Sequence, residues 1–163
     1  MLKIAYTNIN EEELNKLIFE GDYPYLTFSS YEKFDMITIN SNSWNSFQYI
    51  SVDELGNILG YFSFDTIRSQ EKLTTGFFVK FTYKSYYDDD ICNEDFFKFI
   101  DMRMKDPVFS RVEFMAIEDN YANLTYEKWL KKYNGERFLL PNYIKLKDGK
   151  LYNVYLYLFD RIK

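Results

Sequence analysis

Histidine is missing altogether from the 163 residues, and cysteine occurs once, at Cys92. Without histidine there is no Ser-His-Asp or Cys-His catalysis, no HExxH zinc site and no zinc-finger spacing. Any general base has to be Asp, Glu, Tyr, Lys or a water that they hold. A lone thiol makes no internal disulfide and no thiolate metal site. Basic runs are also missing, the longest being Lys131-Lys132. With a net charge of −5 and this absence, neither a phosphate-neutralising face nor a nucleic-acid partner is expected. No apolar run approaches the ~20 residues that span a bilayer, and the first residues carry no basic-then-apolar leader. A soluble, cytoplasmic protein without a membrane partner is expected.

Aromatics, by contrast, are abundant. Sixteen Tyr and 16 Phe bring the aromatic share to 21%, which excludes a disordered or low-complexity chain. Their codons, like those of Asn, Lys and Ile, are AT-rich, which fits a low-GC bacterial or phage genome. One domain spanning residues 1–163 is expected from the length, large enough for a substantial core. The acidic run Asp88-Asp89-Asp90 reads as a solvated loop, and no metal is expected.

Hydrophobic periodicity orders the elements. A short strand near the N-terminus leads to a helix in the acidic turn Glu11-Glu12-Glu13, with Asn10 as its cap and Gly21 as its stop. Ser30 caps a second short helix, and 40–45 is a polar loop. A meander follows: Phe47–Glu54, a turn at Leu55-Gly56-Asn57, Ile58–Arg68, then Leu73–Lys84. Asn93 caps a helix from Glu94 to Lys105 whose Phe96, Phe97, Ile100 and Met104 face the core, and Asp106-Pro107 stops it. Arg111–Glu118 is apolar on both faces and reads as a central strand. The helix Leu124–Tyr133 ends at Asn134-Gly135. Two strands joined at Lys147-Asp148-Gly149-Lys150 close the chain, with Tyr152, Val154, Leu156 and Leu158 on one face and Tyr155, Tyr157 and Phe159 on the other. This order predicts a mixed α/β fold with helices on both faces of the sheet.

Three segments carry a resemblance: Asp53 through Ile58-Leu59-Gly60-Tyr61, Asn120 through Tyr126-Glu127-Lys128 to Gly135, and the closing hairpin before Tyr152-Asn153-Val154. In order and spacing they resemble the GNAT (N-acetyltransferase) superfamily from Phe47 to Phe159, most closely from Val112 onward. That resemblance implies a GNAT-like acyl-CoA N-acyltransferase fold: a central mixed, mostly antiparallel sheet of six or seven strands. It also implies acetyl-CoA as cosubstrate, lying in a gap between Leu73–Lys84 and Arg111–Glu118. Phe81, Thr82 and Tyr83 would pair with the pantetheine arm, Asn120 would reach it with its amide, and Asn93 would stand at the cofactor side of its helix. Tyr126 would protonate the leaving thiolate, or else pack as a helix-face aromatic. Glu113, Glu118 and Asp65 are the carboxylates available as general base. The acceptor implied is an amine of a small molecule or peptide, and exposed aromatics on the last strands allow a homodimer.

One departure is plain. The family holds the pyrophosphate on a glycine-containing loop, whereas Ser85–Asn93 has no glycine and three aspartates. A like-charge contact at 4 Å costs about 4 kcal/mol at an effective dielectric of ~20. Two further readings therefore stand beside the acetyltransferase: a GNAT-shaped interaction module that has lost the cofactor, and a binder of a longer acyl-CoA.

Overall fold

The computed structural model describes residues 1–20, 38–39, 46–68, 73–80, 91–105, 111–120, 122–146 and 148–160. The elements are β1 (Leu2–Ile4), α1 (Thr7–Glu20), β2 (Ser46–Val52), β3 (Ile58–Arg68), β4 (Leu73–Lys80), α2 (Ile91–Met104), β5 (Arg111–Ile117), α3 (Ala122–Tyr133), β6 (Glu136–Lys145) and β7 (Leu151–Asp160). The strands form one seven-stranded sheet in the order β1-β2-β3-β4-β5-β7-β6. Every pairing is antiparallel except β4 with β5.

The period-2 alternation of the central strands separates two packed faces. Phe62 and Phe64 of β3, Val112, Phe114 and Ala116 of β5, and Tyr157 and Phe159 of β7 turn to one face, where α2 and α3 cover them. Most of this core is aromatic. Phe96 and Phe99 of α2 and Tyr126 and Trp129 of α3 are among its buried side chains. On the other face, Leu14 of α1 packs with Ile50, Val52, Ile58 and Tyr61. Ile117, Ile144, Leu146 and Val154 make a smaller cluster. A buried carboxylate ties helix to sheet: Ser51 Oγ of β2 donates to Asp95 Oδ2 of α2 at 2.7 Å.

Several local expectations need correction. Asn10 does not cap α1, which starts three residues earlier; its Oδ1 reaches back to accept the Tyr6 N–H at 2.9 Å, and so satisfies a donor at the helix start from within the helix. Asn93 is likewise no cap, since α2 begins at Ile91 and encloses it in the first turn. On α2 it is Phe99 that fills the core beside Phe96, Ile100 and Met104, while Phe97 is only partly buried. The expected stop at Gly21, the second short helix, the 40–45 loop, Phe81–Lys84 and the Ser85–Asp90 segment lie outside the described residues. Asp53 closes the β2–β3 turn by accepting the Leu55 and Asn57 N–H groups at 2.9 and 2.8 Å, with Gly56 at φ +92.

Candidate functional site

The parallel pair at the middle of the sheet is incomplete. β4 and β5 are in register only at Leu73–Arg111, Thr74–Val112 and Thr75–Glu113, although β4 runs on to Lys80 and β5 to Ile117. Past Thr75 and Glu113 the two strands part, and the sheet forks. On the far edge, Glu118 N–H donates to Asn153 O of β7 at 3.0 Å. In the antiparallel β5–β7 register, hydrogen-bonded positions alternate, so 112, 114 and 116 also address β7. Glu113, Met115 and Ile117 then address β4. Glu113 meets Thr75, and the Ile117 carbonyl accepts the Asn120 N–H at 2.9 Å and Asn123 Nδ2 at 2.8 Å. By the same alternation the Met115 N–H and C=O point to the β4 side, where β4 offers no paired residue among those described. Main-chain groups so placed call for a partner, and an amide-bearing chain laid along β5 supplies one in the manner of an added strand.

α3 starts directly behind β5, and Asn120 makes that junction. Its Oδ1 accepts the Ala122 N–H at 2.9 Å and its carbonyl accepts the Asn123 N–H at 3.0 Å, so it caps the helix that carries Tyr126. Tyr126 is 2% exposed. Its ring lies 5.0 Å from Phe114, the first β5 residue beyond the last paired position, 6.1 Å from Phe96 and 5.2 Å from Tyr157. No hydrogen bond holds its hydroxyl among the described residues. Burial pushes its pKa far above the ordinary phenol value, the neighbouring Tyr157 adding to the effect. The hydroxyl therefore stays protonated near neutral pH.

The two candidate carboxylates are parted by strand parity. Glu118, at the end of β5, lies toward the face of Tyr126 and is engaged: its oxygens accept Asn153 Nδ2 at 2.9 Å and the Tyr155 hydroxyl at 3.1 Å. Glu113 shares the opposite face with Met115 and Ile117 and is half-buried. Asp65 stands in the same transverse row, since it is opposite Thr75 and Thr75 is opposite Glu113. It accepts the Ser46 hydroxyl at 2.8 Å. Asn93 is 4% exposed in the first turn of α2, beside the fully buried Cys92. Phe81, Thr82 and Tyr83 fall outside the described residues. Asn120 thus stands at the end of β5, Tyr126 packs on Phe114 in the core behind it, and Glu113 and Asp65 lie on the opposite face of the sheet. Among the described residues no cluster of three or more acids, His or Cys is disposed to hold a metal.

Sequence reading missed a second hydroxyl. Tyr157 of β7, fully buried, donates to Asn123 Oδ1 at 2.9 Å and lies 3.5 Å from Glu127 Oε1. Burial, then the Glu127 charge, push its pKa well up. Arg137 of β6 pairs with Glu127 and sets its guanidinium 4.6 Å over the Tyr155 ring. The parity of β7 gave the direction of Tyr157, but its meeting with Asn123 depends on segments 34 residues apart.

The sequence matches no protein-family model and no curated protein. Solved structures match over nearly the whole chain. Spermidine N-acetyltransferase from Vibrio cholerae, in complex with CoA and spermine, is 10% identical with a TM-score of 0.68, covering 99% of this chain and 95% of its own. An acetyltransferase of the GNAT family from Streptococcus pneumoniae is 14% identical with a TM-score of 0.69, covering 97% of each chain. The chain has the GNAT fold. The forked β4–β5 pair is the GNAT feature that the resemblance implied, and the seven strands agree with the expected six or seven. No helix among the described residues is long and apolar enough to cross a membrane.

Proposed function

We propose that this GNAT-fold chain is an N-acetyltransferase that moves an acetyl group from acetyl-CoA to the amine of a small molecule or peptide. The observation that carries the reading is the fork, with Met115 presenting both main-chain hydrogen-bonding groups to it. That edge fits an amide-rich pantetheine arm. When bound, acetyl-CoA supplies an activated acyl group on a thiol leaving group. The residues then divide the work. Met115 fixes the arm along β5, and the first residues beyond Lys80, Phe81, Thr82 and Tyr83, would line the other edge. Asn120 and Asn93 would offer the arm their side-chain amides. Tyr126, on the helix that follows β5, is the hydroxyl assigned to give its proton to the departing sulfur. Glu113 or Glu118 accepts a proton from the attacking amine, and the acidic side chains suit a cationic acceptor such as the spermine bound by the Vibrio cholerae structure. Rate enhancement comes chiefly from holding the reactants in line.

A second reading has its own support. Asn120 is occupied as a helix cap, Tyr126 is packed among aromatic rings, and the segment before α2 has no glycine. Those features suit a GNAT-fold interaction module without cofactor. Thermal unfolding with and without acetyl-CoA separates the two. A ligand that binds only the folded state at a hundred times its Kd adds about 2.7 kcal/mol. A rise in Tm with acetyl-CoA is expected; no shift at millimolar concentration means that the interaction module is the right description. Comparing acetyl-CoA with longer acyl-CoAs in the same assay identifies the acyl group.

A further inference from the structure

We propose that Gly76 is a positioning residue of the transfer site: by lacking a side chain it seats the Phe114 ring at the vertex of the fork, and that ring sets where Tyr126 stands. This rests on the reading of the fork as the acyl-CoA slot. Gly76 is the first β4 residue past the last paired position, and Phe114 is the first on β5. Glycine inside a strand weakens it and commonly marks a place where something approaches the main chain closely. Here the visitor is identified. A Cβ on Gly76 would overlap the Phe114 ring and stand 2.6 Å from Phe64 Cε1. Just past the last paired position, an aromatic ring is thus laid on bare backbone.

That ring has nowhere else to go. Phe64, Phe96, Trp129 and Phe159 surround it at 5.6–6.4 Å between ring centres, and Tyr126 is nearest at 5.0 Å. In a close-packed interior a displaced ring displaces its neighbours. The neighbours differ in how firmly they are held. Tyr157 is tethered through its hydroxyl to Asn123. Tyr126 has no such tether among the described residues, and its ring is held by packing. A side chain at position 76 therefore pushes Phe114, and Phe114 pushes Tyr126 off the fork.

The test uses the whole chain with acetyl-CoA and a panel of diamines, comparing Gly76→Ala, Phe114→Leu and the double variant. Gly76→Ala is expected to lower kcat roughly a hundredfold, the cost of a misplaced catalytic group of about 1 Å, with the KM for acetyl-CoA little changed. The double variant, in which the smaller Leu makes room on the Phe114 side while the Phe64 contact stays, is expected to recover part of kcat. Wild-type kcat in Gly76→Ala, or a loss that Phe114→Leu does not repair, overturns the proposal. A spectroscopic readout keeps it independent of activity. With labelled tyrosine, the Tyr126 ring resonances are expected to move in Gly76→Ala and return toward wild type in the double variant, while Tyr157 stays in place. An unmoved Tyr126 refutes the positioning role whatever the activity. Should the wild type neither bind acetyl-CoA nor transfer, the acetyltransferase reading fails, and the resonances still decide the role of Gly76. If Gly76→Ala does not fold, Phe114→Leu alone decides: unchanged Tyr126 resonances in it refute the proposal.

Discussion

Tyr126 and Asn120 each hold a structural post that a functional one would have to share, and single substitutions can separate the two. Removing the Tyr126 hydroxyl takes away a group with no hydrogen bond to lose among the described residues, so the fold has little reason to object. Tyr126→Phe is expected to keep the unfolding midpoint within about 0.5 kcal/mol of wild type. If Tyr126 is the proton donor to the leaving sulfur, kcat falls by about 10²–10⁴, the range for a lost general acid. Steady-state kinetics beside urea unfolding read both quantities, and an unchanged kcat leaves Tyr126 as a core aromatic only. Asn120 calls for a different substitution. Ala would remove the cap of α3 and cost about 1 kcal/mol. Asn120→Ser keeps a capping oxygen while deleting the amide donors. Stability is therefore expected to hold, while the Kd for acetyl-CoA, measured by calorimetry, rises about tenfold if one hydrogen bond to the arm, worth about 1.4 kcal/mol, is lost.

At the scale of elements, the α3–β6 junction is closely packed against β7. Asn134 takes the left-handed conformation at φ +51, and Gly135 N–H returns to Leu130 O at 3.2 Å, closing the helix end. A Cβ on Gly135 would lie 2.6 Å from the Leu158 carbonyl oxygen, a backbone atom of β7 that cannot swing aside, and 2.6 Å from Phe159 Cδ1. Gly135→Ala is expected to destabilise by about 1–3 kcal/mol through overpacking, read as a lower urea midpoint at unchanged slope. The same joint illustrates what was legible. Helix end, Gly and following strand were readable because each is a local signal. So were β3, whose bounds Ile58–Arg68 were as expected, and the two faces of β7, because a period of two is written in consecutive residues. Asn10 and Asn93 misled because an Asn ahead of acidic residues looks the same whether it caps a helix or sits within its first turns. The fork itself was implied by resemblance and not by the residues, since it is a property of β4–β5 register. Its vertex was invisible for the same reason: Gly76 and Phe114 lie 38 positions apart and only the register sets one on the other. The polar group around Tyr157, drawn from α3, β6 and β7, was beyond reach for lack of any local pattern.

For the molecule as a whole, the aromatic excess has a consequence in alkali. Buried phenols sit on both faces of the sheet. Burial raises Tyr61 to about 12, against the opposing effect of its Ser63 and Gln48 hydrogen bonds, and raises Tyr126 further still. In the unfolded chain the same groups titrate near 10. Below that pH both states are protonated, and the stability contributed by a neutral, buried phenol is fully present. Above it the unfolded tyrosines release protons that the folded ones retain, so the unfolded state binds fewer protons and stability falls as pH rises. Each such group steepens the loss by up to about 1.4 kcal/mol per pH unit. For Tyr61 the loss runs from about pH 10 until its folded pKa is reached, near 12, and for Tyr126 it continues beyond. Urea midpoints taken across this range are expected to drop steeply, with tyrosinate absorbance appearing in step with unfolding and not ahead of it. Tyr126→Phe is expected to flatten the slope while leaving the midpoint at neutral pH nearly unchanged, whereas Tyr61→Phe flattens it at the expense of the Ser63 and Gln48 hydrogen bonds. The Phe variants leave the lysine ion pairs untouched. A slope indifferent to both substitutions would mean that alkali unfolds the chain through broken ion pairs such as Lys132–Asp101 and not through the phenols that the sheet encloses.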